Sequence, residues 1–234
     1  MPIIGTQQSP IKIVKNKTWK IDVPEGYLYP NYSGNELAGH FDLESKNFVF
    51  EQFEHFVLDG QPWVVRKLHF HDLAEHRLVN DTYPAGHRAD YEAHLLHTMG
   101  TSPDDDPDGT GPKLVLGTLF HRDAGAEQRK SAEKLNAKLR GVVDAPRAKM
   151  EQRRISAGVN PLDFLPKPED WNFWYKYEGS LTTEPFSEDV SWYVFDRDTA
   201  VLESDFDNLA GGGAEQHSRT VYALDRRYIL RSFA

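Results

Sequence analysis

The 234-residue sequence contains no cysteine. Disulfides, thiolate metal sites and cysteine nucleophiles are thereby excluded, so any metal must be held by nitrogen or oxygen. The absence leaves the compartment open, because a reducing cytosol and an exported protein without bridges both permit it. Also missing is any run of eighteen apolar residues, roughly the length a membrane-crossing helix needs, and Met1 to Lys20 lacks the apolar centre of a secretory leader. As written the chain reads as soluble and unexported, with a periplasmic or secreted location open if an N-terminal segment has been removed. Positive charge is in deficit. The 27 Lys and Arg stand against 36 Asp and Glu for a net charge of -9, and the cations are scattered rather than striped. That balance argues against nucleic acid or an anionic membrane surface as partner. There is no fixed-period repeat, no low-complexity tract and no phosphate loop; Gly211-Gly212-Gly213 reads as a surface linker. The length suits one domain spanning residues 1–234, and a homodimer is compatible with it.

What is present is histidine, and it is concentrated. The stretch from Leu68 to His97 holds six of the ten. His69 and His71 stand at i and i+2 in a run with Trp63, Val64, Val65, Leu68 and Phe70 that predicts a strand; alternation then puts both imidazoles on one face and Leu68 and Phe70 on the other. Tyr91 to Leu96 predicts a second strand, reached through a polar connection containing Asn80, Asp81, Pro84 and Gly86. Antiparallel pairing would bring His94 beside the first two histidines. Three neutral imidazoles with a vacant fourth position describe a catalytic zinc site, since a structural one would use four protein ligands. Glu92, two residues before His94, is placed to accept the other ring N–H of a histidine and fix its tautomer.

The rest of the chain predicts mostly strands. Gln8 to Val14 fits an edge strand, Phe48 to Phe50 and Phe56 to Leu58 read as strand material before the turn at Asp59-Gly60, and Lys113 to Phe120 is a continuous apolar run of strand length. Trp171 to Phe195 gives two aromatic and β-branched segments around a hydroxyl-rich turn, Ser180 to Thr183. Ala132, Leu135, Leu139 and Val142 recur at helical spacing and predict one amphipathic helix over 126–143. Aromatics at 12% suit a large sheet packed on its faces.

These residues resemble the alpha-class carbonic anhydrases. The likeness runs in family order through QSPI (Gln8 to Ile11), LHFH (Leu68 to His71), AEHRLVNDTYPA (Ala74 to Ala85), YEAHLLH (Tyr91 to His97), VLG (Val115 to Gly117), NPLDFLP (Asn160 to Pro166), YEGSLTTEPFSEDVSW (Tyr177 to Trp192) and RTVYALDRR (Arg219 to Arg227). It implies a mostly β (α+β) fold: a large twisted, mainly antiparallel central sheet with a few peripheral helices. It also implies zinc held by His69, His71 and His94, with Glu92 as the carboxylate behind them, and reversible hydration of carbon dioxide to bicarbonate by metal-bound hydroxide. Thr182 matches the family's gatekeeping threonine and Glu75 its carboxylate partner; Thr183 would line the entrance. Leu96, Val115, Leu181, Val190 and Trp192 match the apolar wall that holds carbon dioxide. His40 follows Gly39, as the family's proton-shuttle histidine follows a glycine, with His55 as a rival.

The chain departs from the pattern at several positions. Lys67 stands where the family has a glutamine accepting a hydrogen bond from the first zinc histidine, and an ammonium has only donors. Asp72 replaces a tryptophan and Glu184 a proline, and the aromatic segment that precedes QSPI is missing. Two other readings therefore stand beside the enzyme: a binding or storage protein on the same scaffold, and a zinc hydrolase whose cleft is polarised by Asp72 and Glu184.

Overall fold

The computed structural model describes residues 5–143, 154–206, 209 and 218–234. Its strands, in chain order, are β1 (Lys12–Val14), β2 (Trp19–Lys20), β3 (Leu37–Asp42), β4 (Asn47–Phe50), β5 (His55–Leu58), β6 (Gln61–Asp72), β7 (Arg77–Val79), β8 (Tyr91–Met99), β9 (Lys113–Arg122), β10 (Arg154–Val159), β11 (Trp174–Gly179), β12 (Val190–Phe195), β13 (Thr199–Val201) and β14 (Leu230–Arg231). Two α-helices accompany them, α1 (Lys130–Val143) and α2 (Glu203–Phe206). The Gly211 to Gly213 run and the Val142 side chain fall outside the described residues.

One 12-stranded sheet dominates, in the order β10-β3-β4-β6-β8-β9-β12-β11-β14-β2, with β5 on β6 and β13 on β9 beside that path; β1 and β7 pair separately. The expected mostly β architecture holds. The sheet is mixed, because β12 and β13 run parallel to β9, and β14 to β2, among otherwise antiparallel neighbours. A parallel partner cannot be reached through a tight turn. The chain accordingly makes α1, β10 and β11 between β9 and β12.

Alternation decides what each face of the sheet carries. Leu68 and Phe70 of β6, Ala93 and Leu95 of β8, and Leu114 and Leu116 of β9 join Phe41, Phe48, Leu135 and Leu139 in one apolar core. Burial of each such Leu or Phe contributes about 1.5–3 kcal/mol. The intervening residues His69, Glu92, His94 and Val115 face the other way, toward a second cluster that includes Tyr177, Val190 and Trp192.

One irregularity in β6 matters for the site. Its pairing with β8 jumps from Val65↔His97 to Lys67↔Leu96, so Arg66 is an extra residue, a β-bulge. The core positions of β6 are consequently Trp63, Val65, Leu68 and Phe70, with a spacing of three across the bulge. Arg66 and Lys67, adjacent in sequence, both line the same cleft.

The helix starts at Lys130, not at Ala126 as its periodicity predicts. Carboxylates from elsewhere set the start: Asp205 accepts from the Arg129 N–H at 3.0 Å and Asp163 from the Ser131 N–H at 2.9 Å, satisfying donors that a helix leaves open at its N-terminus.

Candidate metal centre and cleft

The register of β6 and β8 places His69 opposite His94 and His71 opposite Glu92. The three imidazoles of His69, His71 and His94 pack with ring centroids 4.7 to 5.0 Å apart, and one nitrogen from each lies within 4.8 Å of the others. His94 Nδ1 is 3.0 Å from His69 Nε2, and His71 Nε2 is 3.4 Å from Glu75 Oε2. His94 is fully buried and His71 nearly so. Burial, together with the neighbouring histidines, holds His69 well below the usual imidazole range, so the ring is neutral and carries a lone pair to donate.

Glu92 organises this cluster from behind. Its Oε1 accepts from His94 Nε2–H at 2.8 Å and His76 Nδ1–H at 2.7 Å, and its Oε2 from the backbone N–H groups of Glu75 and His76 at 2.7 and 2.9 Å. Burial alone would raise its pKa, but His76 and His94 outweigh that and hold the carboxyl well below the ordinary carboxylate range. Gly117, in register with His94, leaves the room: a Cβ there would stand 3.2 Å from Glu92 Oε1.

Glu75 is the second buried carboxylate. Its Oε1 accepts from the Arg219 N–H at 2.8 Å, whereas Oε2, turned toward His71, has no hydrogen-bond partner. Burial pushes this carboxyl up to about 7, against the opposing pull of the Arg219 N–H and of the Thr182 hydroxyl, which acts as a donor to it. A buried acceptor left open beside three imidazole nitrogens fits a cation between them. The 3.0 Å between His94 Nδ1 and His69 Nε2 is close to the roughly 3.3 Å that bonds of about 2.0–2.1 Å put between neighbouring nitrogens in a tetrahedron. His69, His71 and His94 are therefore a donor set that zinc suits.

The cleft beside this cluster has a volume of about 280 Å³. His69, Leu96, Val115, Leu181, Thr182, Thr183 and Trp192 all line it. Val190 does not: it is 1% exposed, paired with Gly179 and Lys113, and packs beneath the wall. Glu184 lines the cleft, whereas Asp72 sits at the far end of β6 with its carboxylate 3.7 Å from Arg122, so it does not polarise the cavity. Lys67 is exposed at the rim. His40 shares the cleft face of the sheet but stands in register with Val49, which in turn pairs with Lys67. Its Nδ1 is 2.7 Å from Glu51 Oε1, and it is not among the residues lining the cleft.

Two parts of the site escaped sequence reasoning. His76 links Glu92 to the Tyr177 hydroxyl at 2.7 Å, and Tyr177 in turn reaches Ser9 at 2.9 Å, tying the N-terminal segment to the site through buried polar groups. Its sole sequence signal is its place directly after Glu75. The Arg66 bulge has a signal in hindsight, the three-residue step between Val65 and Leu68.

A model of the eukaryotic-type carbonic anhydrases matches residues 3–228. A carbonic anhydrase of Neisseria gonorrhoeae is 23% identical over 226 residues, covering 97% of this chain and 77% of that protein. Among solved structures, dioscorin complexed with ascorbate superposes with a TM-score of 0.78 at 20% identity, covering 97% of this chain and 86% of the other. Carbonic anhydrase Cah3 from Chlamydomonas reinhardtii, in complex with acetazolamide, gives 0.74 at 24% identity, covering 99% and 92%.

Proposed function

The chain belongs to the eukaryotic-type carbonic anhydrase family, and from that premise we propose that it is a zinc-dependent enzyme catalysing the reversible hydration of carbon dioxide to bicarbonate and a proton. The observation that carries the reading is the convergence of one nitrogen each from His69, His71 and His94, backed by a Glu92 that is already committed to four donors. Zinc held by those three nitrogens would supply a Lewis acid that makes water nucleophilic near neutral pH.

The chain's own groups do the remainder. Thr182 donates to Glu75, so its oxygen is left as an acceptor and favours an incoming group that carries a proton while disfavouring one that does not. Leu96, Val115, Leu181 and Trp192 give carbon dioxide an apolar wall, suited to a substrate with almost no polar handle. Thr183 and Glu184 stand at the mouth. Activated-ester hydrolysis in the same cleft would be a side activity of this chemistry.

A second reading, a ligand-binding protein without turnover, is favoured by the likeness to dioscorin and by Lys67, which puts an ammonium where an acceptor for a histidine N–H is needed. Stopped-flow carbon dioxide hydration on zinc-loaded and chelator-stripped protein separates the two. Turnover that is lost on stripping and restored by zinc is the expected result; absence of turnover with one equivalent of zinc in the triad would leave the binding protein.

A further inference from the structure

The bulge in β6 does more than shift the phase of a strand. It turns two successive cations, Arg66 and Lys67, to one side, and both line the cleft. Lys67 stands in register with Leu96 of the apolar wall. Arg66 is half-buried and held in place: its Nη1 donates to Thr98 Oγ1 at 3.1 Å and to the Pro103 carbonyl at 3.5 Å, and Thr98 lines the same cleft. The Nε–H and Nη2–H donors of its fork are uncommitted among the described residues, and no carboxylate of those residues pairs with either cation.

The other charges of the cleft behave differently. Lys113 is committed, its ammonium pairing with Asp189 and donating to the Gly111 carbonyl at 3.0 Å. Asp108 and Glu184 line the cleft from exposed positions and pair with neither Arg66 nor Lys67. A chain of net charge -9 has carboxylates to spare, yet it leaves these two neighbouring cations without one. A guanidinium partly withdrawn from water is stabilised by an anion that takes its open donors. Its planar fork matches the two oxygens of a carboxylate, and apolar walls strengthen the field of cations set in a cleft.

We propose that Arg66 and Lys67 form a docking site for a small carboxylate-type monoanion at the mouth of the cleft, the Arg66 fork taking its oxygens and the Lys67 ammonium adding charge. The cleft volume of about 280 Å³ restricts the guest to a small molecule. Two anions share this chemistry: bicarbonate, and an organic carboxylate bound without turnover. For bicarbonate the inference rests on the function proposed above; for the docking site itself it does not.

The test is calorimetric titration of benzoate into the full chain, zinc-loaded and chelator-stripped, with neutral benzamide as control. Benzoate should bind both forms and benzamide neither. Arg66→Gln should weaken benzoate about tenfold and Lys67→Gln about two- to fivefold, as expected for a charge-assisted fork and an exposed ammonium. Arg66→Lys, which keeps the charge without the fork, should fall between Arg66→Gln and the wild type. Raising salt from about 0.01 M to 0.15 M should weaken benzoate in the wild type and have little effect in Arg66→Gln/Lys67→Gln, whose fold is checked by circular dichroism. Bicarbonate added as competitor identifies the source: displacement of benzoate assigns the site to the anion of turnover, and failure to displace it assigns the site to an organic carboxylate. The proposal is overturned if the folded double variant binds benzoate as the wild type does, if benzamide binds equally well, or if benzoate binds neither form. The two readings fail separately. Carbon dioxide turnover with benzoate binding indifferent to both cations would keep the enzyme and remove the docking site; cation-dependent benzoate binding without turnover would do the reverse.

Discussion

The carboxylate of Glu92 takes the Nε2–H of His94 at 2.8 Å, two residues along the same strand, and so decides that Nδ1 is the nitrogen His94 turns toward His69. Glu92→Gln removes the charge and presents an amide NH₂ to groups that are themselves donors. Zinc affinity should fall about 10–100-fold, measured by competition against a chromophoric chelator. Unchanged affinity would mean that the tautomer of His94 is set by something other than Glu92.

Lys67 lies two residues before His69, on the cleft side of β6. Lys67→Gln restores an acceptor within reach of that strand face, and zinc affinity should rise by up to about tenfold. Slower zinc loss to a chelator, followed in time, is the readout; a faster loss would show that the ammonium is not the weak point of the site.

Val190 and Leu181 were both expected in an apolar wall, and of the two Leu181 lines the cleft. Val190→Ala opens a void in the packed layer below and should cost about 2–3 kcal/mol in urea unfolding with KM little altered. Leu181→Ala, at a half-buried wall position, should do the reverse. If Val190→Ala raises KM without destabilising, the cleft is deeper than its lining suggests.

His97 is fully buried, with Nδ1–H donating to the Leu114 carbonyl at 3.2 Å and Nε2 meeting the Tyr32 hydroxyl. Both nitrogens are satisfied by the neutral ring, and burial pushes its pKa down to about 3. The unfolded chain, with an ordinary histidine near 6.5, binds the proton first as pH falls. The neutral ring's contribution to stability is therefore complete above about pH 6.5 and drains away between there and about 3, at up to roughly 1.4 kcal/mol per pH unit. Unfolding free energies from urea titration should drop from pH 7 to pH 5 by about 2 kcal/mol more in the wild type than in His97→Gln.

His40 is tied to Glu51 and stands apart from the residues lining the cleft. His40→Ala should leave turnover at low buffer nearly unchanged. A drop that added imidazole rescues would return the proton exit to His40.

Much of the histidine cluster could be read directly from residue order. Strand alternation has a period of two, so H-x-H commits both rings to one side, and the antiparallel register needed only a reversing connection to add His94. What could not be read depends on chain segments remote in sequence. The start of α1 is set by Asp163 and Asp205, which no local pattern announces. His76 looks like any polar residue before a short strand until Tyr177 and Ser9 arrive from opposite ends of the chain. Val190 and Trp192 have the same apolar character and the same strand face, yet only Trp192 lines the cleft, its Nε1–H donating to the Ser180 carbonyl at 3.0 Å from a segment that local sequence does not place.

The extra residue in β6 separates two kinds of mutational freedom. Because Arg66 absorbs the change of phase, side chains at 66 and 67 can be replaced without turning His69 or Leu68 around. Deleting Arg66 itself would restore plain alternation through Val65, Lys67 and Leu68 and leave His69 and His71 on the cleft side, with one of the two cations at the entrance removed. The entrance can thus be re-tailored, by substitution or by loss of the bulge residue, to admit or repel charged molecules while the histidine cluster keeps its face of the sheet.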